Sequence, residues 1–109
     1  MTSPEILEAI REKIRNHPTD ALSEAQGTYL LVLYGEDPFY IAVQIQTGPK
    51  AEVSEVPDPM TADATAAMSR QVFEDLLNKR TTPAEAFMAG HISVDGDLGK
   101  ALRLYALMA

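Results

Sequence analysis

The side chains best suited to chemistry are few and scattered along this chain. His17 and His91 are its two histidines, and it has no cysteine. Neither histidine stands in a metal-ligand or nucleophile–base motif, so each reads as solvated or locally hydrogen-bonded. A structural zinc site normally takes four nitrogen and sulfur ligands, which this set does not supply. Ser54, Ser69 and Ser93 fall in no nucleophile elbow. Asp95-Gly96-Asp97-Leu98-Gly99 lies where a phosphate loop would lie, between a strand and a helix. It lacks the Gly-x-Gly-x-x-Gly spacing and a Gly-Lys-Ser/Thr ending, and two aspartates would repel a phosphate. Asp58, Asp63, Asp95 and Asp97 do not have the spacing of a calcium loop. These residues read as turns and helix caps, so neither enzymatic activity nor a cofactor or metal is expected.

The elements around them are legible from periodicity. Ser3-Pro4-Glu5 reads as a helix start, with Ser3 as the N-cap and Pro4 at the first helical position. Ile6, Leu7, Ile10 and Ile14 then share one face, and the helix should end near Asn16, before Pro18. Residues 18–26 read as a polar loop. Thr28 to Tyr34 is apolar on both faces, as an interior strand would be. Phe39, Ile41, Val43 and Ile45 alternate with Tyr40, Ala42, Gln44 and Gln46, giving a strand with one buried face. Ala51, Val53 and Val56 suggest a weaker third strand. Gly35-Glu36-Asp37-Pro38 and Gly48-Pro49 mark the turns of an antiparallel meander.

Pro57-Asp58-Pro59 breaks that pattern. Ala62, Ala64, Ala66 and Met68 suggest a fourth strand, with a helix from 61 as the alternative because alanine is a poor strand former. Ser69 caps a helix carrying Val72, Phe73, Leu76 and Leu77 on one side. Thr82-Pro83-Ala84-Glu85 has the pattern of a capping box, and its short helix should stop at Gly90. Ile92 and Val94 mark a fifth strand. Asp97 can cap a last helix that holds Leu98, Ala101, Leu102, Leu104, Tyr105, Leu107 and Met108. The order is α-β-β-β-β-α-α-β-α. It predicts an α+β fold with a five-stranded, mainly antiparallel sheet covered by helices on one face.

Composition narrows the partners. At 109 residues the chain fits one domain, residues 1–109. It buries enough surface for one core and one internal cavity. The net charge of −7 comes with no basic patch, which argues against nucleic acid and against attraction to anionic membrane. The N-terminus has no basic region followed by an apolar run, and no apolar stretch approaches 18 residues. No signal peptide and no transmembrane segment are expected, and the cytoplasm is the expected compartment.

The stretch Phe87-Met88-Ala89-Gly90-His91-Ile92-Ser93-Val94-Asp95-Gly96-Asp97 follows Thr82-Pro83-Ala84-Glu85. Upstream come Ala62-Asp63-Ala64-Thr65 and the helix from Ser69 to Leu77, with Gly27-Thr28-Tyr29 opening the first strand. In that order the chain resembles a small, stand-alone member of the sterol carrier protein type 2 (sterol-binding) family. The resemblance implies a sheet and helices enclosing an apolar tunnel. It implies binding of fatty acid, fatty acyl-CoA, phospholipid or sterol-like lipids. Two features depart from the family. Residues 78–81 read Asn-Lys-Arg-Thr, where many relatives carry a glycine in that turn, and the fourth strand is alanine-rich.

On this resemblance Phe73, Leu76, Leu77, Phe87, Met88, Ile92, Leu102 and Tyr105 are the candidate tunnel residues. By periodicity alone they are equally the core faces of helices and a strand. Met60, Met68, Met88 and Met108 are flexible fillers suited to varied apolar shapes. The alternative function is a protein-interaction or accessory domain that presents a hydrophobic substrate to a partner enzyme. Its interface would be the apolar last helix, or Leu30, Val32, Tyr34 and Tyr40 on one sheet face. Transient membrane contact and a homodimer are both compatible with such a surface.

Overall fold

The computed structural model describes residues 2–16, 25–35, 38–46 and 50–108, without the side chains of Ser3, Tyr105 and Met108. His17, most of the polar loop and the tips of both hairpins lie outside the described residues. The first helix, α1 (Ser3–Arg15), is capped by Thr2, which corrects the assignment of Ser3. Thr2 Oγ1 accepts from the Glu5 amide at 3.4 Å, and the Thr2 amide donates to Glu5 Oε1 at 3.2 Å. Only Thr2 has a glutamate three residues on; with Ser3 as cap that place would fall to Ile6, which has no acceptor to return. The Thr2 hydrogen bonds hold the Glu5 carboxyl below its ordinary pKa. Ile6, Ile10 and Ile14 are buried, and Arg11 Nη2 donates to the Val53 carbonyl at 2.7 Å.

Five strands follow: β1 (Gly27–Tyr34), β2 (Phe39–Gln46), β3 (Lys50–Val56), β4 (Ala64–Ser69) and β5 (Ile92–Gly96). They form one sheet in the order β3-β2-β1-β4-β5. β1, β2 and β3 are the expected antiparallel meander, and β5 is antiparallel to β4. β1 and β4 run parallel, with Leu31 beside Ala66 and Leu33 beside Met68. Residues 57–63 therefore carry the chain diagonally, from the far end of β3 back to the starting end of β4. The fourth segment is a strand despite its alanines, with Ala64, Ala66 and Met68 turned inward. Its place between β1 and β5 overrides its weak intrinsic preference.

Strand parity sorts the two faces of the sheet. Phe39, Leu33, Met68 and Ile92 form one cross-strand row on the inner face, and Ile41, Leu31, Ala66 and Val94 form the next. These rows meet α1 and three further helices: α2 (Arg70–Leu77), α3 (Pro83–Met88) and α4 (Leu98–Met108). Tyr29 is buried here, its hydroxyl donating to the Ala25 carbonyl at 2.6 Å. On the outer face Leu30 and Ala42 are also buried, apart from the main core cluster. Leu30 is thus closed to the interface suggested for it, while Tyr34 is exposed.

Asp63 ties three strand ends together. Its amide donates to the Thr28 carbonyl at 2.9 Å, and its Oδ2 accepts from the Thr28 amide at 2.9 Å. Its carbonyl accepts from the Asp97 amide at 2.8 Å. Asp97 Oδ1 in turn accepts from the Lys100 amide at 3.1 Å, which caps α4 as expected. The aspartates of this region act as fasteners of the backbone.

Candidate functional site

α2 and α3 are short helices set by their caps. Ser69 Oγ accepts from the Val72 amide at 3.1 Å, starting α2 at the end of β4. Thr82 Oγ1 accepts from the Glu85 amide at 3.1 Å, starting α3 with Pro83 at its first position. Only this half of the expected capping box forms; no bond links the Thr82 amide to the Glu85 carboxylate among the described residues. Both helices end the same way. The Gly90 amide donates to the Phe87 carbonyl at 3.1 Å and the His91 amide to the Ala86 carbonyl at 2.9 Å. The Lys79 amide donates to the Leu76 carbonyl at 3.2 Å and the Arg80 amide to the Asp75 carbonyl at 2.8 Å. These are two Schellman endings, each with a left-handed residue after the cap. Gly90 takes that place with φ 80°, and Lys79 takes it with φ 57°. The segment 78–81 therefore makes the turn with a lysine, not a glycine, in the left-handed place.

Between these helices and the sheet lies a partly enclosed apolar pocket of about 260 Å³. Leu31 and Met68 form its floor. Phe73, Leu76 and Leu77 from α2 and Leu104 from α4 form its walls, and Lys79, Thr81, Thr82 and Pro83 edge it. A second, more open groove of about 370 Å³ lies on the outer side of α3. Thr82, Pro83, Ala84, Phe87 and Met88 line it on one side, and Leu102 and Ala106 of α4 on the other. Thr82 and Pro83 border both spaces, so the start of α3 is the ridge between them.

The expected tunnel residues divide between these two spaces. Phe73, Leu76 and Leu77 line the inner pocket. Phe87, Met88 and Leu102 line the outer groove, at 40%, 86% and 55% exposure. Ile92 lines neither; it is buried on β5, one strand beyond Met68. The Tyr105 side chain lies outside the described residues. Leu31 and Leu104 are absent from the expected tunnel residues, and Met68 is expected only as a flexible filler, although each sits at the inward phase of its own element. Sequence reasoning also missed the edge residues Lys79, Thr81, Thr82 and Pro83, which carry no periodic signal. α4 explains why its apolar arc is so wide. Ala101, Leu104 and Leu107 face the core, while Leu98 and Leu102 face outward.

The architecture is an α+β domain, a five-stranded sheet with helices on one face and an apolar pocket edged by a short helix. The chain belongs to the SCP-2 sterol transfer family, whose model matches residues 7–109. Family membership supports lipid binding and transfer. Among curated proteins it is 29% identical to Hydroxysteroid dehydrogenase-like protein 2 of Xenopus tropicalis over 89 residues, 82% of this chain. It spans about a fifth of that relative, 21% of its length. Among solved structures it is similar to Sterol Carrier Protein 2 Like 2 of Aedes aegypti. The TM-score is 0.76 at 18% identity, covering 94% of this chain and 93% of the other. A solution structure of the palmitated Aedes aegypti protein gives 0.75 at 18% identity, covering 99% and 95%. No helix among the described residues is long and apolar enough to cross a membrane.

Proposed function

We propose that residues 1–109 form one non-catalytic domain that binds and carries a lipid acyl chain. The observation that carries this reading is the apolar pocket between α2, α4 and the sheet. Its volume lies just below the roughly 300–1,000 Å³ of ordinary small-molecule sites. A space of that size suits part of a flexible chain, as in a fatty acid, an acyl-CoA or a phospholipid. The palmitated state of the Aedes aegypti protein supports the same ligand class. A longer tail extends over the Thr82–Pro83 ridge into the groove lined by Phe87, Met88 and Leu102. Pocket and groove then make one tunnel. The exposed groove also supplies the surface for transient membrane contact or a homodimer, in a protein working in the cytoplasm.

Each methylene moved from water into the tunnel contributes about 0.8 kcal/mol before ordering costs. Titration with a series of fatty acids should therefore give affinity that rises with chain length and levels off when the space is full. Millimolar binding that is flat across the series would reject the tunnel.

A second reading has its own observation. The chain corresponds to about a fifth of a dehydrogenase-like relative. This favours an accessory role, in which the domain presents a hydrophobic substrate to a partner enzyme. Addition of the lipid-loaded domain should then raise the rate of such an enzyme, while the empty domain should not.

A further inference from the structure

We propose that Lys79 receives the acid group of the ligand, which makes the pocket a site for a long-chain carboxylate. The proposal rests on the lipid-binding reading above and names the head that goes with the tail. Lys79 is the single charged side chain among the pocket-lining residues. It is also exposed, and a lysine at such an edge can lay its methylenes on apolar surface while its ammonium keeps to water. No carboxylate pairs with it among the described residues. The neighbouring charge is already matched, because Arg80 Nη1 lies 3.4 Å from Asp75 Oδ1.

The backbone adds an independent observation. Lys79 sits in the left-handed region at φ 57°, where Gly90 makes the equivalent turn of α3 without side-chain strain. A lysine is held where glycine would fit better, and the place it occupies is the edge of an apolar pocket. Two residues on, Thr81 Oγ1 donates to the Thr82 carbonyl at 3.5 Å, a long and weak bond. That hydroxyl can turn to a carboxylate at little cost. An ammonium and a hydroxyl at the edge, with Leu76, Leu77 and Phe73 within, match an anionic head and an apolar tail.

The test compares palmitate with its alcohol, which has the same tail and no charge. Both are titrated against the wild-type protein, Lys79→Gln and Lys79→Arg, with a thermal melt of each variant. Wild type should prefer the carboxylate by about three- to tenfold, as a charge-assisted hydrogen bond at a wet edge gives. The preference should vanish in Lys79→Gln and persist in Lys79→Arg. Lys79→Gly removes the charge while relieving the backbone, so it should lose the preference even if Lys79→Gln fails to fold. Equal binding of acid and alcohol by wild type, or a preference untouched by Lys79→Gln and Lys79→Gly, overturns the role of Lys79 and leaves the lipid site standing. Failure of both ligands to bind overturns the lipid reading together with it.

Discussion

Two phenylalanines with similar sequence settings do different work. Phe73 is 2% exposed and touches both core and pocket, whereas Phe87 is 40% exposed on the groove. Phe73→Ala should cost about 3–5 kcal/mol of stability, as truncation of a buried aromatic does. Phe87→Ala should cost well under that, yet weaken binding of long acyl chains more than short ones. Chemical denaturation and a chain-length titration of both variants check this. A loss at Phe87 as large as at Phe73 would put Phe87 in the core. Sequence periodicity alone ranked them together because each is the apolar residue of a helix face; what separates them is the size of the helix. α3 is six residues long and buries only Ala86, so its remaining apolar side chains are left at the surface. Tyr29 gives a pH prediction. Burial first, and then the charge of Asp63, raise its hydroxyl pKa above the ordinary value of 10.0. A raised folded-state pKa means stability fully present below the unfolded value and lost as pH rises through the folded one. Tyr29→Phe leaves the Ala25 carbonyl unpaired and should cost about 1–3 kcal/mol near neutral pH. The gap to wild type should narrow above about pH 10. Melting temperatures of both proteins from about pH 7 to pH 11 test it, and a constant gap would mean that the hydroxyl does not titrate differently on folding.

At the scale of elements, the caps were the most readable features. Ser69, Thr82, Gly90 and Asp97 each act where local spacing put them, because a cap is made within four or five residues of chain. The start of α1 shows how fine that information is. Thr2 and Ser3 are both good cap types, and only the glutamate three residues after Thr2 decides between them. Ile92 was less readable as a site residue. Its alternation with Ser93 and Val94 marks a strand, but its distance from the pocket depends on β5 pairing outside β4, a long-range choice. Gly96 lies at that joint, with φ 90°. A Cβ there would come within 2.5 Å of the Asp63 carbonyl oxygen, a backbone atom that also receives the Asp97 amide. Gly96→Ala should therefore combine left-handed strain with a backbone clash and cost more than about 2 kcal/mol. Chemical denaturation measures this, and the amides of Asp97 and Lys100 should lose hydrogen-exchange protection. A cost under about 0.5 kcal/mol would show that the joint bends freely.

For the whole molecule, the meander was legible and the parallel β1–β4 pair was not. Hairpins announce themselves in their turns, whereas residues 57–63 carry no signal for where the next strand will dock. That docking puts Leu31, Met68 and Leu104 around one space, so the pocket depends on the complete fold. A ligand that needs it should bind the folded state and not the unfolded chain. Such binding stabilises by about 2.7 kcal/mol at a free ligand concentration 100 times Kd. For a domain near 100 residues this should raise Tm on the order of 10 °C, and the rise should grow with the logarithm of ligand concentration. A fatty acid acting as a surfactant gives the opposite result. It would adsorb to exposed Met88 and Leu102, bind the unfolded chain at least as well, and lower Tm as it is added. Scanning calorimetry with long-chain and short-chain acids separates the two cases. A logarithmic rise with the long acid alone is the outcome that a folded-state pocket requires. A fall in Tm would assign the apolar surface of α3 and α4 to adsorption, and the carrier reading would fail with it.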